Sequence, residues 1–537
     1  MKKRILILLS VTVLGIYLSC TDDLDTEPKT QLTLEELLAS DPNAVEGLVS
    51  RLYASYALSG PSGPGSSDIV SPDAGEGAFL RAIINLQDFT ADAMKNRWGD
   101  DGLDQLTTTT DWDQNNKFFR LFYDRAYYTI PQCNNFLQAL EIADFPDEEN
   151  IVAETRFLRA LAYYNLIDVF GKGVLSTEEN FGQTQPLPEA SRQELFDYVE
   201  DELLAIEPVI TNTSSYGRAN TFVVDMLLAK LYINAEVYTG TPRWDEAATY
   251  VSKVIDEGGY SLDPTFVRLF SRDNNESPEI IFPLLAESLT SQSFGNTTYI
   301  VNGSLSADTM PLAQFGATEG WTGHRATSAW YGLYCNGVDN SDQLSNCGDV
   351  RSQLFWIGKD LGPIDPVTME PSDLHDFEME DYREWTDGYP AIKFRNTRSD
   401  GDGNPVAFSG TDFPFYRLAD AYLMYAELAI VRNAAGTSDA QALDYVNQVR
   451  ARSNAEPITM SELTEDFIID ERARELNLEG HRRSDLIRFS RFTGGNYIWP
   501  WKGGVEEGTS ISENYRLIPI PETALQANPN LTQNTGY

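Results

Sequence analysis

The strongest constraint on this chain is a periodicity. Between residues 221 and 255 apolar side chains recur at helical spacing on both sides of Gly240-Thr241-Pro242. Phe222, Met226, Ala229 and Ile233 precede the break, and Trp244, Ala247, Ala248, Val251 and Ile255 follow it. Each set falls on one stripe of a helix, with small alanines where two helices would meet. A helical pair of about 34 residues cannot bury its apolar face alone and therefore stacks on neighbours. A related pair spans residues 416–452, with Leu418, Ala421, Tyr422 and Tyr425 on its first helix and Leu443, Val446 and Val449 on its second. Further helices are expected over 34–58, 117–140, 152–170, 194–206 and 466–478.

These pairs resemble tetratricopeptide repeats, so the expected fold is mainly α: a right-handed tetratricopeptide-type helical solenoid with large loop-rich insertions. The insertions are residues 59–80 and 290–410, rich in Gly, Ser, Asn, Asp and Pro and carrying aromatics without helical period. They read as long surface loops, where binding groups concentrate on a rigid scaffold. The 537 residues allow about three to four domains or one large elaborated fold. Helices at both ends of the chain favour the latter.

Composition excludes some functions. With 81 acidic against 40 basic residues the formal charge is −41, and such a field repels phosphate backbones and anionic headgroups. Nucleic acid is not an expected partner. The three histidines, His324, His375 and His481, are far apart, which argues against imidazole catalysis or a His-rich metal site. No P-loop, dinucleotide fingerprint, HExxH or CxxC pair occurs, so no catalytic residue, catalytic metal or organic cofactor is expected. Abundant Asp and Asn leave room for a structural Ca²⁺, without a legible calcium-loop spacing.

The N-terminus reads as an export signal. Lys2, Lys3 and Arg4 precede an apolar run over residues 5–19 that is short for a bilayer span. It ends in Leu18-Ser19-Cys20, which looks like a lipoprotein processing site. On that reading residues 1–19 are removed, Cys20 is multiply acylated and becomes a stable membrane anchor, and residues 20–30 form a tether. Thr21-Asp22-Asp23-Leu24-Asp25 is similar to the signal that sends Bacteroidetes lipoproteins to the outer face of the outer membrane. An exported compartment permits a Cys335–Cys347 bridge, which sequence cannot show, and Cys133 is expected to be buried in a helix.

Several segments then carry a specific resemblance to the SusD/RagB family of outer-membrane nutrient-binding lipoproteins. They are residues 153–164 with Phe170-Gly171, 416–427, 449–452, 470–476, 479–488, Ile518-Pro519-Ile520-Pro521 and Gln533-Asn534-Thr535-Gly536-Tyr537. The order holds from Cys20 to Tyr537, implying one SusD-like domain over 31–537 with ligand-binding loops about 59–110 and 290–410. Glu471, Arg472, Glu475 and Glu479 stand at helical three- and four-residue spacings, so they read as ion pairs along a helix face. Arg482, Asp485 and Arg488 read as buried structural pairing.

Residues 217–219, 231–240 and 497–504 bring the chain nearest to the starch-binding members of that family. There an arc of three aromatics cradles an α-glucan, and the resemblance implies Trp98, Phe294 and Trp321 here. Phe294 stands where the relatives carry tyrosine and so lacks the hydroxyl. Arg81 and Asp73 match polar contacts, and Asp101 replaces an asparagine, removing an amide donor. For each aromatic the competing reading is core packing. What the resemblance implies is a non-catalytic cell-surface protein that captures oligosaccharides for a TonB-dependent, SusC-like outer-membrane barrel. A surface glycoside hydrolase would need only two carboxylates about 5 to 9 Å apart, and no pair stands out. Binding of another glycan or of peptide, as in RagB-like relatives, is the third reading.

Overall fold

The computed structural model describes residues 34–41, 43–141, 148–357 and 375–537. The signal at 1–19, Cys20 and the tether at 20–30 therefore lie outside the described residues. The longer helices, numbered in chain order, are α1 (Leu34–Ser40), α2 (Ala44–Ala57), α3 (Phe79–Gln87), α4 (Lys117–Leu140), α5 (Glu148–Val169), α6 (Arg192–Ile206) and α7 (Thr221–Ile233). They continue as α8 (Trp244–Glu257), α9 (Thr297–Ser304), α10 (Leu418–Ile430), α11 (Asp439–Arg452), α12 (Glu465–Leu476) and α13 (Arg482–Arg488).

The expected helix pairs form. Helices α4, α5, α6, α7, α8, α10 and α11 each pack on the next, a single-file row that passes over the insertion between α8 and α10. Local signals set their starts: Ser191 and Glu194 close a reciprocal capping box on α6, and Asn116, Asn220 and Ser438 cap α4, α7 and α11. The expected helix over 34–58 is two, separated where the sequence carries Pro42, which cannot supply the helical N–H. Tyr416 lies in a strand before α10 rather than on that helix.

Three antiparallel two-stranded ribbons complete the frame: β1 (Met94–Asn96) with β5 (His324–Ala326), β2 (Lys172–Val174) with β3 (Glu189–Ser191), and β4 (Ile280–Leu284) with β6 (Phe413–Arg417). The last enters α10, joining the insertion to the helix row.

Residues 59–78 hold no helix or strand and are mostly exposed or half-buried, as expected of a surface loop, but the described part of 290–410 is more deeply buried than its composition suggests. Every residue of α3 and of α9 is buried, as are Trp330, Tyr331, Tyr334 and Phe355. In α9 the buried face includes Thr297, Thr298, Asn302 and Ser304, so no apolar stripe marks the helix in the sequence. Cys335 and Cys347 form a disulfide with Cα atoms 5.8 Å apart, and Cys133 is free and buried. Among the described residues no helix is long and apolar enough to cross a membrane.

The Arg/Glu motifs also differ from expectation. Most of their partners come from distant segments rather than from one helix face. Glu471 meets Arg351 at 2.9 Å and Arg450 and Arg474 at 2.8 Å, and only Arg474 is its helical neighbour. Glu475 takes Arg351, Arg417 and Arg452, and Glu479 takes Arg417 and Lys393. Arg482 pairs with Asp92, while Arg472 and Arg488 share Asp485, the buried structural pairing expected of them. Buried charges of this kind must be satisfied by fixed partners, so they clamp α12 to the insertion in one arrangement.

Candidate functional site

The β1–β5 ribbon joins two segments more than two hundred residues apart. Asn96 faces His324 across the pair, and Arg97 N–H donates to the Gly323 carbonyl at 3.1 Å. Trp98 leaves one strand and Trp321 enters the other. The backbone N–H groups of Trp321 and Gly323 donate to the Asn302 and Gly303 carbonyls at the end of α9, at 2.7 and 2.8 Å. Phe294 lies just before the other end of that helix, which Asn296 caps.

Two glycines let these pieces close. A Cβ on Gly323 would lie 2.4 Å from Cε2 of Trp98, so only glycine leaves room for the indole. Gly75 has φ +90°, and a Cβ there would sit 2.6 Å from the Phe294 backbone. Arg81 N–H then donates to the Gly295 carbonyl at 3.0 Å, docking α3 beside the aromatics.

The result is an arc with Trp321 at its centre. Its ring centroid lies 6.3 Å from Trp98 at 52° and 6.2 Å from Phe294 at 49°. All three rings are half-buried. The indole N–H of Trp98 donates to the Trp321 carbonyl at 3.0 Å, and that of Trp321 to the Glu319 carboxylate at 3.2 Å. Behind Trp98 lie Tyr299 and His324, centroids at 5.9 and 5.1 Å. Burial, with the charges of Arg81 and Arg325, drives the His324 imidazole well below its usual range, so it is a neutral wall.

Arg81 is 6 % exposed, with its guanidinium carbon 4.7 Å from the Tyr299 ring and 6.0 Å from Trp98. Its nearest carboxylate is Glu76, at 3.7 Å, and its buried Nε has no hydrogen-bond partner. Burial pushes the Glu76 carboxyl up, but hydrogen bonds from Lys117 and Ser71 and the charges of Arg81 and Lys117 hold it below its ordinary value. Lys117 reaches Glu76 at 2.8 Å and Asp100 at 3.4 Å.

Asp73, Arg81, Trp98, Asp100, Phe294 and Trp321 line one open hollow of about 380 Å³. Five of the six residues anticipated from the sequence meet there. Asp101 is exposed and does not line it, and the neighbouring Asp100 does. Asp100, Tyr299, His324 and Gly323 were not anticipated, since nothing in their spacing marks them as supports for distant residues. Carboxylate oxygens of Asp73, Glu76 and Asp100 lie within 4.8 Å of one another, a set able to hold a metal ion, but the Lys117 ammonium already supplies a cation to two of them. A larger hollow of about 500 Å³ beside Cys335 is lined by Arg450, Phe467 and Arg474, whose guanidinium groups are both tied to Glu471. The arc combines flat apolar rings with an Arg81 side chain that makes no hydrogen bond among the described residues.

Comparison with known proteins agrees with this architecture. Residues 374–537 match the profile of the SusD family, and residues 78–243 match a profile described as starch-binding associating with outer membrane. The starch-binding protein SusD of Bacteroides thetaiotaomicron is 32% identical, over 97% of this chain and 96% of its own. SusD-like protein P25 of Formosa agariphila is 23% identical over 97% of each chain. Among solved structures, surface glycan-binding protein A of Bacteroides thetaiotaomicron in complex with laminarihexaose superposes with a TM-score of 0.69 at 19% identity, covering 92% of this chain and 99% of the other. A SusD superfamily protein from Parabacteroides distasonis gives a TM-score of 0.69 at 22% identity over 94% and 100%. On its near full-length identity to a curated member and its matching fold, the chain belongs to the SusD family.

Proposed function

We propose that this protein is a non-catalytic glycan-binding lipoprotein, held at the cell surface by an acylated Cys20, that captures starch-type α-glucans and passes them to a TonB-dependent outer-membrane barrel. The observation that carries the reading is the arc of Trp98, Trp321 and Phe294. A sugar ring has apolar C–H faces and a polar rim, so a flat aromatic buries one face while the hydroxyls bond to side chains or water at the edge. Successive platforms turned by 52° and 49° follow a curved chain better than a straight one. Arg81, Asp73 and Asp100 line the same hollow and offer polar groups to the hydroxyls of a seated glucan. The relative named for starch binding supports the α-glucan choice.

Calorimetry with purified protein tests it. Maltoheptaose or a cyclic α-glucan should bind better than linear β-glucans, and the reverse ranking refutes the curvature argument. Trp98→Ala and Trp321→Ala should each abolish maltooligosaccharide binding, and Phe294→Ala should weaken it. Unchanged affinity in the tryptophan variants would remove this site. No reducing ends should appear during incubation with starch. Their release would favour a hydrolase.

A further inference from the structure

The polar residues that line the hollow reach it from different stretches of chain: Asp73 from the loop before α3, Arg81 from α3 and Asp100 from the segment after β1. Behind all of them stands one buried carboxylate. Glu76 is 1 % exposed and does not itself line the hollow. Toward Asp73 its link is a turn: the Glu76 N–H donates to the Asp73 carbonyl at 3.3 Å, and its carboxylate accepts from the Ser71 hydroxyl, tying the chain on either side of Asp73. Toward Arg81 the link is charge, with a Glu76 oxygen 3.7 Å from the guanidinium. Toward Asp100 it is a relay. The same oxygen accepts from the Lys117 ammonium at 2.8 Å, and Lys117 reaches Asp100 at 3.4 Å.

Arg81 depends on this link most. It is 6 % exposed and makes no side-chain hydrogen bond among the described residues, so the Tyr299 ring at 4.7 Å and the Glu76 charge locate its guanidinium. Tyr299 offers a fixed face, its hydroxyl donating to Asn85 at 2.6 Å, but a flat face does not set where along it the guanidinium rests. A buried cation also needs a counter-charge, and Glu76 is its nearest. Burial opposes ionisation of Glu76, yet hydrogen bonds from Lys117 and Ser71 and the charges of Arg81 and Lys117 hold its carboxyl below the ordinary value, so it is charged at neutral pH. We infer that Glu76 is the positioning residue of the site: without touching the ligand it holds Asp73, Arg81 and Asp100 in the arrangement that meets glycan hydroxyls. The inference rests on the glycan reading above and adds how the polar edge of the arc is preorganised. Preorganisation spares the cost of ordering these side chains on binding, so loss of the Glu76 charge lowers affinity although every contacting group remains.

Calorimetry with maltoheptaose tests it. Glu76→Gln should bind at least about tenfold more weakly, as when a buried charge pair loses one partner. The distinguishing readout is coupling. In an Arg81→Met/Asp100→Asn background Glu76→Gln should cost less than about twofold, because two of the groups it positions are gone and glutamine still accepts from Ser71. Lys117→Met, at a half-buried residue and therefore a milder change, should weaken binding in the unaltered background and not in Asp100→Asn, which keeps the test decisive if Glu76→Gln fails to fold. Loss of the same factor in both backgrounds overturns the inference in favour of a general structural role. Full affinity in Glu76→Gln and Lys117→Met also overturns it, while leaving the glycan reading intact. Absence of maltoheptaose binding by the unaltered protein overturns the glycan reading and this inference with it.

Discussion

Gly323 shows how a single residue positions the site without touching a ligand. A methyl group there would enter the Trp98 indole, which Tyr299 and His324 also pack against. The ring must therefore rotate out of the arc. Gly323→Ala should lower glucan affinity at least about tenfold while costing about 1–3 kcal/mol of stability, as overpacking does. Calorimetry and urea unfolding of the same preparation separate the two effects. Unchanged affinity would show that the arc tolerates a displaced platform. The arc residues were readable only through family resemblance, because no spacing connects Trp98 to Trp321. Asp101 illustrates the limit. Which of two adjacent aspartates faces the hollow depends on the turn between Asn96 and Gly102, and Asp100 faces it and meets Lys117.

Helix α12 concentrates the buried charge of the scaffold. Burial would raise the Glu471 carboxyl, yet the charges of Arg351, Arg474 and Arg450 hold it down from 4.5 to about 2. A carboxylate depressed in the folded state stabilises above its unfolded value, so this contribution is present above about 4.5 and is lost as pH falls through about 2. Urea midpoints should therefore drop across that window. Glu471→Gln should destabilise the neutral-pH protein by about 3–5 kcal/mol, because three guanidinium groups lose a shared carboxylate. It should also flatten part of the acid slope. An unaltered slope would place the acid sensitivity in other pairs. Helical spacing revealed the element but not its partners: Glu471, Glu475 and Glu479 fit a helix-face pattern equally well, whereas Arg351 and Arg417 reach them from far along the chain. Helix α8 was legible because one face meets solvent, whereas α7, buried along almost its whole length, was legible by its length and its continuous run of apolar residues. The short α9 was not, since it buries polar Thr297, Thr298, Asn302 and Ser304 beside its apolar residues and so shows no apolar stripe.

For the whole molecule, the helix row carries an insertion whose buried aromatics form one continuous core with it. The anchor expected at Cys20 would tether this body by an acidic segment. Cys20→Ala should shift the protein from the membrane fraction to the soluble one on cell fractionation, with glucan affinity retained, and persistent membrane association would argue against acylation there. The sequence by itself determined the helical scaffold and the family, because periodicity and motif order are local or additive properties. The tertiary structure alone decided how deeply the stretch 290–410 is buried, which carboxylates pair with which guanidinium groups, and how the three rings are angled. Those properties depend on contacts between residues hundreds of positions apart, and each such contact is set by packing around it rather than by its own neighbours in the chain.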